Sequence, residues 1–506
     1  MSAFEVILWT SIVLLYLWKG LKQYLQYFWL SKRVSYIAGS PMVGALKDVL
    51  LNRTSFPQMF VDLYNEPKTR NDAVSGFYFF QKPCLLIRDP ELIKRILVKD
   101  FSQFSDRRMR SDPKSDPIGT YNLLAAKGDT WKSIRSNLTP IFTMHKMKNF
   151  FKLISDVCED LRDKLAKDIP SKGSAELNIK EVAALYTIET IASSAFGFKI
   201  NSFNNPDCDF HRNVHEIINP SNLKQKLKLA ACFFFPEFAS VLQLKFVAKE
   251  AQEFLKASVL GVMEEREKSG LKRNDLIDAM IVMKNTQKDI FHTNAILAQA
   301  GLFLVAGYET SSSVLSFALY ELARHQDKQE TLRKELMDFA GSEKEIPFEN
   351  LNNLKYLDMV FQEILRLYPS LPFLERICQP SAGAKTYSLA PVHEFSVPKG
   401  MPVYIPVISV QRDPKFFPDP LSFRPERFAA TADPPIDPRL LLGFGQGPRH
   451  CLGSRLGALQ VKMALITILL KYRLSVCEKT PQKVLFTRKT VLTQSEKPLI
   501  VNFTEI

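Results

Sequence analysis

The sequence predicts a mainly α protein with a small β portion, and three observations carry that prediction. Residues 145 to 285 read as a succession of amphipathic helices, with apolar side chains recurring at helical spacing. Asp289 to Glu321 is the longest helical signal, about 50 Å of helix at 1.5 Å per residue. Strand patterns are short and few. Gly76–Phe80 pairs with Cys84–Ile87 through a Gln81-Lys82-Pro83 turn, and a last group lies near Thr490 to Asn502.

At 506 residues the chain can bury a large core. Its 30 prolines and 20 glycines do not cluster into a linker and no internal repeat is present, so one large domain is expected after an N-terminal segment. The seven cysteines are scattered, odd in number and lack metal-finger spacing. That speaks against a disulfide framework or a zinc site and suits a reducing, cytosol-facing compartment. The net charge of +14 is spread along the chain, and no nucleic-acid motif accompanies it. An anionic membrane surface or an acidic protein partner fits this better than nucleic acid does.

Taken in order, Ala3 to Trp18 is apolar except for Glu5, Thr10 and Ser11, and it lacks a small-residue cleavage site. This argues for a membrane anchor within residues 1–30 rather than a removed signal peptide. About 16 residues is short against the roughly 20 of a full span. Tyr16, Trp18, Tyr24, Tyr27 and Trp29 would extend it as an interfacial belt. Lys19, Lys22, Lys32 and Arg33 follow, which leaves residues 31–506 on the cytosolic side. Asp89-Pro90 opens a helix that runs through Leu97. Trp131 and Arg135 stand four apart on one helix face, where an indole N–H and a guanidinium could donate to one carboxylate. The apolar stretch Leu229 to Phe238, with Phe233, Phe234 and Phe235, would mark a membrane or ligand contact if exposed.

Inside the long helical signal, Gly307 costs about 1 kcal/mol against alanine, so something is expected to approach its backbone. Glu309 and Thr310 then place an acid beside a hydroxyl, as ordered proton delivery to a reacting oxygen requires. Glu363 and Arg366 form an acid–base pair at i, i+3, which alone would be a surface bridge worth under ~1 kcal/mol.

The stretch Phe444 to Gly453 organises the rest. Cys451 sits in a Gly-rich loop just before the apolar helix Ser454 to Tyr472. The helix dipole and unpaired N–H groups there favour a thiolate. Gly447 and Gly453 let the loop turn tightly and aim N–H groups at the sulfur. Arg449 offers a planar fork suited to a carboxylate, and Phe444 can shield the sulfur from water. A shielded, hydrogen-bonded thiolate is what haem iron needs when it must cleave an O–O bond.

This loop resembles the cytochrome P450 signature F-x-x-G-x-R-x-C-x-G at every fixed position. Such a match should arise by chance in roughly one chain in ten thousand. His450, a rival ligand, falls at a variable position of that motif. Further motifs appear in the order the family requires. Trp131 and Arg135 resemble its W-x-x-x-R, Ala306-Gly307-Tyr308-Glu309-Thr310 its A-G-x-E/D-T, Glu363 and Arg366 its E-x-x-R, and Pro425-Glu426-Arg427-Phe428 that pair's third partner. Tyr186 to Gly197 resembles a segment of the animal clan that holds vertebrate drug-metabolising and insect detoxification enzymes.

The resemblance implies a cytochrome P450 fold holding haem b between the Gly307 helix and the Cys451 loop. It implies Cys451 as axial ligand and Glu309 and Thr310 as managers of protons. Trp131, Arg135, Arg376 and Arg449 would anchor the haem propionates, joined by Arg107 with Arg108 as the alternative. Glu363, Arg366 and Arg427 would form a buried network behind the haem loop, and Leu371 to Leu374 would line the pocket. Gln411 stands where the family usually has histidine, which would weaken one contact beside the site. A proline-rich hinge is reduced to Gly39, Pro41 and Gly44. Leu229 to Phe238 would dip into the bilayer between the helices named F and G in the family. The implied activity is insertion of one atom of O2 into lipophilic, foreign substrates such as plant toxins or insecticides. The implied partners are NADPH-cytochrome P450 reductase, cytochrome b5 and the endoplasmic reticulum membrane. The alternatives are oxidation of an endogenous lipid or hormone, or a haem-thiolate isomerase or dehydratase that rearranges a peroxide without a reductase.

Overall fold

The computed structural model describes residues 3–218, 222–234, 236–340 and 346–506. It is 53% helix and 10% strand, which settles the mainly α class. The elements that position the site are, in chain order, α1 (Ala3–Leu30), β1 (Val74–Phe79), β2 (Lys82–Ile87), α2 (Gly128–Leu138), α3 (Met144–Asp168), β3 (Ser174–Asn178), α4 (Ile179–Ile191), α5 (Thr293–Arg324), α6 (Lys355–Leu367), β4 (Leu374–Ile377), β5 (Pro402–Ile405), α7 (Ser454–Leu469), β6 (Tyr472–Ser475) and β7 (Ile500–Glu505). One sheet has the order β1-β2-β5-β4, parallel only between β2 and β5. A second joins β3, β7 and β6. Of the last strand group, only Ile500–Glu505 is a strand; Phe486 and Ser495 meet as an isolated bridge.

The β1–β2 connection is tighter than the expected Gln-Lys-Pro turn. Phe79 pairs with Lys82, so Phe80 and Gln81 make the turn, with Phe80 at φ 53°. Pro83 sits inside β2. The helix opened by Asp89-Pro90 is capped by the Asp89 carboxylate, which accepts from Leu92 N–H (2.9 Å), and a wider turn carries it on to Lys99.

The end of α1 is docked rather than free. Trp29 is fully buried, its indole lying over Gly76, where any Cβ would come within 2.2 Å of the ring. Tyr78 donates its hydroxyl to the Leu25 carbonyl (3.0 Å). Trp29 is therefore a core residue and not part of an interfacial belt. Tyr16, Trp18, Tyr24 and Tyr27 are exposed. Phe233 is half-buried against Phe246, their rings 5.7 Å apart. Phe235 and the side chains of Phe234 and Phe238 lie outside the described residues.

Helix α5 runs through the core. It starts later than the pattern suggested, because His292 caps it by accepting from Ala295 N–H. It is long and apolar enough to cross a bilayer, yet 67% of its apolar window is buried inside the protein, so it is a core helix. What approaches Gly307 is α4: an added Cβ would lie 2.6 Å from Ile191 Cδ1. Helix α7 ends at Leu469, and Tyr472 already belongs to β6.

Candidate functional site

Behind the cysteine loop, α6 buries an acid and its two bases. Glu363 and Arg366 are both inaccessible and form a fork: Arg366 Nε donates to Oε2 (2.6 Å) and Nη2 to Oε1 (2.8 Å). Arg427 adds Nε at 3.3 Å from Oε1, and Arg424 N–H donates to the same oxygen (2.9 Å). The remaining donors of Arg366 reach the carbonyls of Gln411 (2.8 Å) and Pro420 (2.7 Å), and those of Arg427 reach Pro418 and Asp419. Both guanidiniums thus share one carboxylate and place their remaining donors on carbonyls, which is what makes their burial tolerable. Gln411 weakens nothing. Its amide donates to the carbonyls of Leu365 (3.0 Å) and Arg366 (3.1 Å) while its oxygen accepts from Leu442 N–H (2.7 Å).

The cysteine loop turns through Gly445 and Gly447, both at φ 71°. At Gly447 the reason is close approach: a Cβ there would collide with the Leu97 carbonyl at 1.8 Å. The N–H on the sulfur comes from Gly453 instead. Cys451 N–H donates to the Phe444 carbonyl (2.8 Å), and Phe444 packs beside Phe361 with rings 6.1 Å apart. The Cys451 side chain lies within the protein but faces an open cavity. Burial pushes its thiol up, while the Gly453 N–H and the guanidiniums of Arg135 and Arg107 pull it back down. His450 is held aside: its Nδ1 sits 2.8 Å from the Gly447 carbonyl, and Arg135 donates to its main-chain carbonyl (2.9 Å).

The cavity encloses about 280 Å³ between α5 and this loop. Leu123, Leu124, Phe142, Leu302 and Phe303 supply much of its apolar wall. Leu371 and Leu374 line it too, whereas Phe373 turns into the core and stacks on Phe60. Arg107, Trp131, Arg135 and Arg449 stand on the rim. Arg449 lies over the Trp131 ring, 4.4 Å from its centroid, and donates to the Ala126 carbonyl (2.7 Å). Arg376 is fully buried off the cavity wall and donates to the Glu375 carbonyl (2.8 Å). Trp131 and Arg135 thus share a face, as expected, but each has its own neighbour.

The rim carries excess positive charge. Burial and then Arg107 push Arg376 and Arg449 each down to about 9, with Asp106 and Glu375 the opposing carboxylates. Both acids are committed elsewhere as well: Asp106 accepts from Gly128 N–H (3.1 Å) and Glu375 from Arg108 N–H (2.8 Å). The Nε atoms of Arg107, Arg376 and Arg449 are buried without a hydrogen-bond partner among the described residues. Groups of this kind call for an anion.

Glu309 and Thr310 do not act from one face. Adjacent helical residues point roughly 100° apart. Thr310 lines the cavity, its hydroxyl donating to the Ala306 carbonyl (2.6 Å). Glu309 is buried off the cavity wall, where it accepts from Lys180 Nζ (2.7 Å) and Gln494 Nε2. Lys180 in turn borders a second, polar cavity of about 180 Å³ with Ser313, Ser316 and Gln494. Gln460 of α7 donates to the Gly307 carbonyl (3.1 Å) and to Ser311. Lys180, Gln494 and Gln460 belong to no local pattern, and sequence reasoning assigned none of them a part.

A family model described as cytochrome P450 matches residues 39–503. The chain belongs to the cytochrome P450 family. It is similar to a protein named probable cytochrome P450 6g2 of Drosophila melanogaster, at 39% identity over 493 residues and 94% of each chain. It is also similar to cytochrome P450 6j1 of Blattella germanica, at 37% identity over 454 residues, 90% of this chain and 88% of that one. This P450 is accordingly a monooxygenase. The family implies haem on a cysteine thiolate, a redox partner, dioxygen and a lipophilic substrate.

The residues present fit haem. The thiol faces the cavity, the wall beside it is apolar, and the rim is a cluster of guanidiniums with spare donors. Two propionates are the anions such a rim lacks, and iron on the sulfur supplies the charge that would hold it as thiolate despite burial.

Proposed function

We propose that this P450 oxidises lipophilic foreign compounds, plant toxins and insecticides among them, with haem b held between α5 and the Cys451 loop. The observation that carries the reading is a cavity-facing thiol and under-partnered guanidiniums beside it, around one largely apolar cavity. When bound, the haem supplies reductive scission of dioxygen, one atom entering the substrate and the other leaving as water.

The chain's own residues do the rest. Cys451 Sγ binds the iron, with the Gly453 N–H on the sulfur moderating its charge. Arg107, Trp131, Arg135 and Arg449 hold the propionates from the rim, and Arg376 adds positive charge from behind. Phe444 screens the sulfur from water. Thr310 Oγ1 lines the cavity and gives its own proton to the Ala306 carbonyl, so its lone pairs are free to hold a proton-carrying water there, and Glu309 takes up protons on the Lys180–Gln494 side. Glu363, Arg366 and Arg427 are structural.

Broad substrate choice follows from the wall. Among the described residues, its polar side chains apart from the guanidiniums, Trp131 and His450 are Thr310, Ser311, Ser370, Gln460 and Cys451. An apolar pocket discriminates weakly between molecules of similar size, whereas a site built to hydrogen-bond one substrate rejects others strongly. Electrons come from NADPH through NADPH-cytochrome P450 reductase at the Cys451 face, with cytochrome b5 as a second donor. The net charge of +14 suits acidic partners. The part of residues 1–30 before Leu25 anchors the chain in the endoplasmic reticulum membrane, its end packs on the core, and residues 31–506 form the catalytic domain on the cytosolic side.

The test is reconstitution with the reductase and a panel of lipophilic compounds. Oxidised products that require both NADPH and dioxygen are expected. Rearrangement of an organic peroxide without NADPH would instead make the protein an isomerase or dehydratase. Oxidation confined to endogenous lipids or hormones would overturn the substrate class.

A further inference from the structure

Gln411 bridges the seam between α6 and the cysteine loop. A helix leaves its last carbonyls without intrahelical partners. At the end of α6 two of these, Leu365 and Arg366, accept from the Gln411 amide at 3.0 and 3.1 Å. On the other side, Leu442 N–H donates to Gln411 Oε1 at 2.7 Å. Leu442 and Gly443 lead into the cysteine loop on the cavity wall. Gly443 lies so close to α6 that a Cβ there would be 3.1 Å from Leu365 Cβ. Gln411 is 1% exposed, and its main-chain carbonyl accepts from Arg366 Nη1 (2.8 Å).

We infer that Gln411 is a positioning residue for the thiolate: it fixes where the cysteine loop starts relative to the Glu363–Arg366–Arg427 network, and through that the place of Cys451 Sγ. An amide suits the task because it donates and accepts at once at any pH. An aliphatic side chain of similar size would leave two carbonyls and one N–H buried without partners. The inference rests on the reading of Cys451 as the iron ligand.

The experiment uses the full-length holoprotein. Its reduced carbon monoxide complex is followed in mild denaturant as the red-shifted thiolate band converts to the ordinary haem band. In Gln411→Leu the conversion should run about ten-fold faster than in the unsubstituted protein. Gln411→His keeps the test decisive if the leucine variant loads no haem. A neutral imidazole turns its N–H to the α6 carbonyls and its lone pair to Leu442 N–H. An imidazolium sets N–H against N–H. The charged groups nearest this position are Arg366, which holds the Gln411 carbonyl and is paired with Glu363, and the chain neighbours Arg412 and Asp413. Arg366 and Arg412 hold protonation of the introduced ring below about pH 6.5.

The expected result is near-normal conversion of Gln411→His at pH 8 and acceleration at pH 5.5, with the unsubstituted protein changing far less over that range. Equal rates in Gln411→Leu and the unsubstituted protein would overturn the inference. So would a histidine variant whose rate follows the unsubstituted protein at both pH values. An unsubstituted protein with no red-shifted band would instead refute Cys451 as ligand.

Discussion

The two sides of the haem cavity are built differently. Behind Cys451, the Glu363–Arg366–Arg427 network sets both guanidiniums on one carboxylate and hydrogen-bonds the remaining donors to carbonyls, and Gln411 ties that network to the loop. Across the cavity, α5 offers mostly apolar side chains and the hydroxyls of Thr310 and Ser311, while its acid is held elsewhere by residues 129 and 185 positions away in the chain. One side fixes a sulfur. The other, on the proposed function, admits varied molecules and manages protons through contacts made at a distance. Buried ionic networks tolerate little change, whereas an apolar wall can be altered a methylene at a time.

Substitutions can break or sharpen this contrast. The largest effect is expected from Glu363→Ala, which leaves two buried guanidiniums without their acid at about 3–5 kcal/mol. Little folded holoprotein should be recovered; a normal melting curve would make the network dispensable. Next is Thr310→Ala across the cavity. Here the fold should survive while NADPH consumption separates from product, with hydrogen peroxide released and coupling down about ten-fold. Unchanged coupling removes Thr310 from the chemistry. Lys180→Met should act more gently, slowing turnover a few-fold and altering its solvent isotope effect, because Glu309 keeps Gln494 but loses its cation. An unaltered isotope effect would take Lys180 out of proton uptake. Smallest is Arg135→Ala. Its guanidinium is half-buried and bonded to the His450 carbonyl, so haem affinity should fall by a factor of a few, under ~1 kcal/mol. A loss as large as that for Arg449→Ala would show the rim to act as one unit.

The same contrast explains what the sequence reveals. The cysteine loop, the Glu363–Arg366 pair and the Gly307–Thr310 run are legible because the spacing of a turn or helix sets each within a few residues. The long α5 was legible from its periodicity, and its start was displaced only by the His292 cap. What joins distant segments was not legible. Nothing near Glu309 announces Lys180 or Gln494, and adjacency in sequence hid that Glu309 and Thr310 face different ways. Trp29 has the profile of a membrane-belt residue, and only the bare backbone of Gly76 explains its burial. Gln411 looked like a lost contact because its three partners lie 31, 45 and 46 residues away.

The most direct test of the whole account is the absorption difference spectrum of dithionite-reduced membranes bearing the full-length protein, with and without carbon monoxide. A strongly red-shifted Soret band, abolished in Cys451→Ser, is the predicted result. An ordinary haem–CO band in the unsubstituted protein, or a red-shifted one that survives Cys451→Ser, would contradict it.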